Sequence, residues 1–234
     1  MKNRLLLLVL FSFISCSEIE DDKRYRIQAK FLDLENQPIS DVNVTSMRGN
    51  NFFSSGVILG NSVSDQQGKV EFTSLVPSGN YVTLAINSLT SIDDEALLLK
   101  DFSSLVFVIN NSVLEETMNF NLGDFILHEQ ISFEFQLTKT STSPAVINWQ
   151  LIYQDSSSCS FDIETPEDLN QEFTCQNTNT INRTNDVNNP NENINLGINK
   201  NSLLTFIYSI NGGENQVIEI NPNTLNNNAF EFNY

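Results

Sequence analysis

Hydrophobic and polar residues alternate along most of this chain, with a period of two rather than 3.6. Tyr25, Ile27, Ala29 and Phe31 fall on one side of an extended segment, with Arg26, Gln28 and Lys30 on the other. Val42 and Val44 flank Asn43, Val70 and Phe72 flank Glu71, and Tyr81–Ile86 and Leu105–Ile109 are further apolar runs of strand length. Met118, Phe120 and Leu122 alternate, and Gly123 to Leu127 reads as a closing strand. Asn36-Gln37-Pro38, Ser64–Gly68 and Pro77–Asn80 are turn sequences between these runs. The alternation restarts with Ile131, Phe133, Phe135 and Leu137, then Ile147, Trp149, Leu151 and Tyr153. Leu203–Ile210 predicts a central strand, Asn211–Asn215 a hairpin loop into Val217–Ile220, and Phe230, Phe232 and Tyr234 a last strand. Short strands punctuated by Gly, Pro and Asn predict an all-β chain of two tandem β-sandwiches, residues 23–128 and 129–234.

Two stretches break the pattern. Ser91 and Asp94 before the run Ala96–Leu99 predict a capped helical turn. Residues 176–201 are crowded with Asn, whose amides compete with backbone pairing, and predict one long exposed loop or two. Genomic bias toward A and T accounts for the Asn richness across the whole chain more simply than function does.

The N-terminus carries an address. Lys2 and Arg4 precede the apolar run Leu5–Ile14. That run is too short to span a bilayer, which needs about 20 apolar residues, but suits a secretory signal at residues 1–15. Phe13-Ile14-Ser15-Cys16 resembles a bacterial lipobox, departing from it in having Phe13 where Leu is usual. The resemblance implies a lipidated Cys16 as mature N-terminus and palmitate-type acylation. Phe13 argues against an ordinary signal peptidase site, which wants small residues. Residues 16–22 then form an acidic tether, in which Glu18, Glu20, Asp21 and Asp22 resemble the export signal of surface lipoproteins of the Bacteroidota. That implies an outer-membrane location with the protein facing outward.

At 234 residues the chain can hold two domains. Its formal charge of −17 becomes −19 once Lys2 and Arg4 leave with the signal. Such a field repels phosphate backbones and anionic headgroups, so nucleic acid is not an expected partner and the membrane is reached only through the lipid on Cys16. Three cysteines would leave one unpaired in a secreted protein. Lipidation of Cys16 leaves Cys159 and Cys175 as a disulfide pair, or as two separate buried thiols.

Asn36-Gln37-Pro38-Ile39-Ser40-Asp41-Val42-Asn43-Val44, then Val63-Ser64-Asp65-Gln66-Gln67-Gly68-Lys69-Val70-Glu71-Phe72, then Leu75-Val76-Pro77-Ser78-Gly79-Asn80-Tyr81 occur in that order. Over residues 23–128 they resemble the carboxypeptidase regulatory-like domain, a prealbumin-like sandwich. Asn36 stands where Gly is usual and Ser64 where Thr is usual. The resemblance implies a non-catalytic module that supports folding, adhesion or ligand presentation.

Candidate chemistry is sparse. His128 is the only histidine and is expected to be exposed at the domain junction. There is no nucleophile elbow, P-loop or dinucleotide fingerprint, and no cofactor or metal is expected. Asp93-Asp94-Glu95, and Asp186 with Asn188, Asn191 and Glu192, could gather oxygens around calcium, but solvated turns account for them more simply. Trp149, Tyr153 and the many Phe residues could include a sugar platform, but their alternating spacing favours core packing, and the polar tips of Tyr153 and Tyr208 suit partly buried positions. The expected function is therefore a non-catalytic, lipid-anchored binding or accessory module with a protein, glycan or matrix ligand. The alternative is a hydrolase that uses two facing carboxylates on an extracellular substrate.

Overall fold

A computed structural model describes residues 19–49, 57–77, 79–88, 99, 101–155, 159–170, 173, 175 and 177–234, with the side chains of 19–22 and 115–117 left out. The predicted helical turn after Ser91 and the acidic Asp93-Asp94-Glu95 lie outside these residues, as does the signal segment.

Among the described residues the first sandwich holds seven strands: β1 (Ile19–Leu32), β2 (Asn43–Arg48), β3 (Ile58–Val63), β4 (Lys69–Pro77), β5 (Tyr81–Ile86), β6 (Leu105–Asn110) and β7 (Asn119–Ile126). A short helix α1 (Asn111–Thr117) links the last two and is capped by the Asn110 side chain. One sheet has the order β4-β1-β7, and β6-β5-β2-β3 run consecutively in the other. The alternation seen in the sequence sets the layers. Tyr25, Ile27, Ala29 and Phe31 are buried, and they pack against Val44, Leu84, Ile86, Phe107 and Ile109 of the facing sheet.

Two turns hold the predicted geometry. Asn36 has φ of 61°, the left-handed region that Asn tolerates. Gly68 has φ of +73°, and a Cβ there would lie 2.4 Å from the Phe31 carbonyl oxygen, so the turn needs glycine. The acidic tether is shorter than the sequence suggests. Ile19 already pairs with Pro77, so residues 19–22 enter β1. Extended backbone beside a free edge finds its hydrogen bonds there whatever the charge of its side chains.

The second sandwich is built from β8 (Gln130–Thr138), β9 (Ile147–Asp155), β11 (Asn177–Asn185), β12 (Glu192–Asn199), β13 (Leu204–Ile210), β14 (Gln216–Ile220) and β15 (Ala229–Asn233). Its sheets have the orders β11-β9-β13-β14 and β12-β8-β15. Phe133, Phe135, Leu137, Ile147, Trp149, Leu151 and Phe206 fill the core between them. The predicted hairpin at Asn211–Asn215 joins β13 to β14, with Asn211 and Gly212 at positive φ.

The Asn-rich stretch is not loop. Residues 177–185 and 192–199 are edge strands of the two sheets, joined by a corner at 186–191. An edge strand needs few buried side chains. Ile194, Leu196 and Ile198 point inward at alternate positions of β12 while Asn193, Asn195 and Gly197 stay exposed. Most of the amides face water and therefore do not compete with the ladder, while Asn185 and Asn199 at the strand ends are buried.

Both sandwiches share one topology. Counted within each, the first strand lies between the fourth and seventh, and the other sheet runs third, second, fifth, sixth. In both, the seventh strand runs parallel to the first. The tandem is thus a structural duplication, although the two halves differ in sequence pattern.

One segment crosses between the halves. The sequence predicts that residues 159–175 belong with the second sandwich. Instead β10 (Cys159–Ile163) pairs in parallel with β6 and extends the first sandwich's sheet. Cys159, Phe161, Ile163, Leu169, Phe173 and Cys175 pack on the first core. The segment is an insertion between β9 and β11, the second and third strands of its own sandwich. It leaves because β6 presents an open edge and an apolar cleft that Phe161 and Phe173 fill. Cys159 and Cys175 are joined by a disulfide with Cα atoms 5.8 Å apart, which closes the insertion on itself.

Candidate functional site

Strand register builds a polar face on the second sandwich. Ile147, Trp149 and Leu151 point into the core, so Asn148 and Gln150 point out. Pairing sets Asn148 beside Thr184 and Ser209, and Gln150 beside Asn182 and Ile207. Thr184 Oγ1 donates to Asn148 Oδ1 at 2.8 Å, and Gln150 Nε2 donates to Asn182 Oδ1 at 3.1 Å. These bonds orient the amides and leave further donor and acceptor positions toward solvent. With Arg183 and Asn215 these residues line a shallow concavity of about 450 Å³. Among the described residues no carboxylate lines it, in a chain with 29 of them. Its amides and hydroxyls can hydrogen-bond a polar ligand.

A second concavity of about 450 Å³ lies on the other sheet beside the junction, lined by residues that include Asp101, Glu129, Gln130, Glu134 and Asn195. It is the place where a carboxylate hydrolase would be sought. Glu129 is engaged by Lys200, with Nζ–Oε distances of 2.6 and 2.8 Å. Hydrogen bonds from Gln136 and Asn193 hold Glu134 below the usual carboxylate range. A general acid needs the opposite shift.

His128 is buried, not exposed as expected. Its backbone N–H donates to Ser103 Oγ at 3.0 Å, and its carbonyl accepts from Ser103 N at 2.9 Å. The Phe102–Glu129 bridge follows directly. These contacts draw the linker into the junction and take the ring out of water. Burial pushes its pKa down. An unfolded chain takes up the proton near pH 6.5 while the folded chain resists it, so stability is complete above that pH and falls as pH drops below it. Urea denaturation between pH 7.5 and 5.5 is expected to show this loss, and His128→Gln to flatten it.

The other sequence candidates resolve as follows. Trp149 is core, and its Nε1–H donates to Asn185 Oδ1 at 2.7 Å. Asn185 in turn donates to the Asn189 carbonyl at 3.0 Å, which ties the β11–β12 corner to the core. Tyr153 and Tyr208 are partly buried and pack on that core. Asp186 accepts from the Asn188 and Asn189 amides, and Asn191 Oδ1 accepts from Lys139 N, so this acidic turn satisfies itself. Among the described residues no group of three or more His, Cys, Asp or Glu could hold a metal. Cys16 and Glu18 lie outside the described residues. Glu20, Asp21 and Asp22 contribute backbone to β1, and nothing more of them is described. Sequence pattern alone does not single out the amide face. Its signal is the polar half of the alternation in β9, β11 and β13, and only the register brings those halves together.

No protein-family model matches this chain, and no curated protein matches it. Among solved structures, the Bacillus anthracis TIE protein is 11% identical over 90% of this chain and 33% of its own, with a TM-score of 0.29. The 3-chlorocatechol 1,2-dioxygenase of Rhodococcus opacus 1CP is 11% identical over 47% of this chain and 63% of its own, at a TM-score of 0.30. The shaft pilin SpaA of Lactobacillus rhamnosus GG is 8% identical over 90% of this chain and 96% of its own, at 0.32. This chain therefore spans a third of the TIE protein and under two thirds of the dioxygenase. Likenesses this slight decide nothing about function. The sandwich assignment rests on the strands themselves.

Proposed function

We propose that this chain is a non-catalytic binding module, held on the outer membrane by a lipidated Cys16 and directed outward by the acidic residues Glu18 to Asp22. The observation that carries the binding role is the amide face of β9, β11 and β13. Its amides are uncharged and preoriented, and among the described residues Arg183 is the one charged residue that lines it, which suits the hydroxyls of a glycan. The proposed anchor rests on Cys16 and its lipobox, and the proposed likeness of the first sandwich to carboxypeptidase regulatory-like domains rests on its turn motifs.

A glycan array probed with the chain tests the ligand class. The double variant Gln150→Ala, Asn182→Ala is expected to weaken binding by about tenfold or more, the cost of one to two lost hydrogen bonds. It should leave stability within about 0.5 kcal/mol, because both side chains are at the surface. Release of reducing sugar from a bound glycan would instead establish the hydrolase. For the anchor, Cys16→Ser is expected to release the protein from the membrane fraction, and unchanged retention would remove that part of the proposal.

A further inference from the structure

The two sandwiches share a strand order but are closed differently on one side. In the first, the cleft between the sixth and seventh strands, β6 and β7, is filled by the inserted segment. Phe161 stacks on Phe107 with ring centroids 5.2 Å apart, and Phe173 meets Phe107 edge-on at 5.0 Å. Phe107, Phe120 and Phe125 are buried in consequence. In the second sandwich the equivalent side lies between β14 and β15. Ile218 of β14, Phe230 and Phe232 of β15 and Tyr208 of the neighbouring β13 pack on the core there, and each stays only partly buried.

The edge on that side is open. Among the described residues no strand pairs with the outer side of β14, and Val217 on it is 61% exposed. β14 is short and carries one charge, Glu219, but has few other devices against strand addition. Gln216–Ile220 contains no Lys and no Pro, and its register with β13 is unbroken. By contrast the β4 edge carries Lys69 and Pro77, and β7 has a register shift near Gly123, a positive-φ glycine.

We propose that β14 is an acceptor edge for a strand from a partner protein, of the kind β10 supplies to β6. The occupant is an extended segment laid parallel to β14, apolar at alternate positions, with an aromatic side chain seated against Phe230 and Phe232. Backbone hydrogen bonds supply affinity and the aromatic seat supplies selectivity. This chain's own β10 is already engaged with β6, which points to a further sandwich-type domain as the donor. The surface is distinct from the amide face, and the inference does not depend on that face binding a glycan.

The test is a full-length chain carrying a second copy of the sequence Cys159–Cys175 after Tyr234 on a flexible Gly/Ser linker, which gives an effective concentration on the order of millimolar. Hydrogen exchange along Gln216–Ile220 is expected to slow at least tenfold. The same chain with Phe161→Ser in the appended copy is expected to lose most of that protection. Unchanged exchange with the intact copy would overturn the acceptor edge, and equal protection from the serine copy would overturn the aromatic seat. Protection that appears in the unmodified chain and grows with its concentration would overturn the partner donor in favour of self-association.

Discussion

Phe107→Ala is expected to lower the unfolding free energy by about 3–5 kcal/mol, the range for an aromatic removed from a tightly packed core. Phe107 is fully buried, and its ring meets those of Phe120, Phe125, Phe161 and Phe173 at centroid distances of 5.0 to 6.3 Å. Two of these neighbours come from β7 and two from the inserted segment. The cavity would therefore open where the first sandwich meets the insertion. Neither β6 nor β10 can collapse into it without giving up their shared ladder. The chain should lose stability in urea and show faster hydrogen exchange across Cys159–Ile163. A loss under about 1 kcal/mol would mean that the insertion contributes little to the first core.

The second large effect concerns the disulfide. Replacing Cys159 and Cys175 together by serine should cost about 3 kcal/mol, the chain-entropy value for a loop of about 15 residues. The bond also holds Phe161 on β10 and Phe173 after the 3₁₀ turn Pro166–Asn170 on one side of Phe107. Freed, the segment must order both residues independently. Denaturant unfolding of the double variant beside the parent chain measures the loss. A stability unchanged within 0.5 kcal/mol would show that packing alone secures the insertion. An oxidising compartment, which the proposed export implies, keeps this bond closed.

These effects meet on a segment whose destination is not legible in the sequence. Tyr25 to Phe31, Phe133 to Leu137 and Ile147 to Tyr153 show their buried face directly, because a strand's period is two and a sheet face is either wet or dry. Gly68 and Asn36 mark their turns because few residues accept positive φ. Cys159–Ile163 shows an apolar alternation as well, but that pattern names a buried face without naming the sheet that buries it. The same limit explains His128, whose burial follows from contacts with Ser103 and Glu129's bridge to Phe102. It also explains the Asn-rich strands: an edge strand with one half-wet face has composition close to that of a loop.

The alternation of apolar side chains and the turn residues determined, from sequence alone, an all-β chain of two sandwiches; for Cys159 and Cys175 the sequence allows a pair or two buried thiols, and the structure joins them. Alternation and turns do so because burial of one strand face and the steric limits of turns are local properties. The tertiary structure alone decided that both sandwiches share one strand order, that β10 closes the first while β14 stays open, and that Asn148, Gln150, Asn182 and Thr184 stand together. Those facts depend on which strands become neighbours. That choice is made by packing between residues far apart in the chain, where cleft shape and an available edge outweigh any local preference.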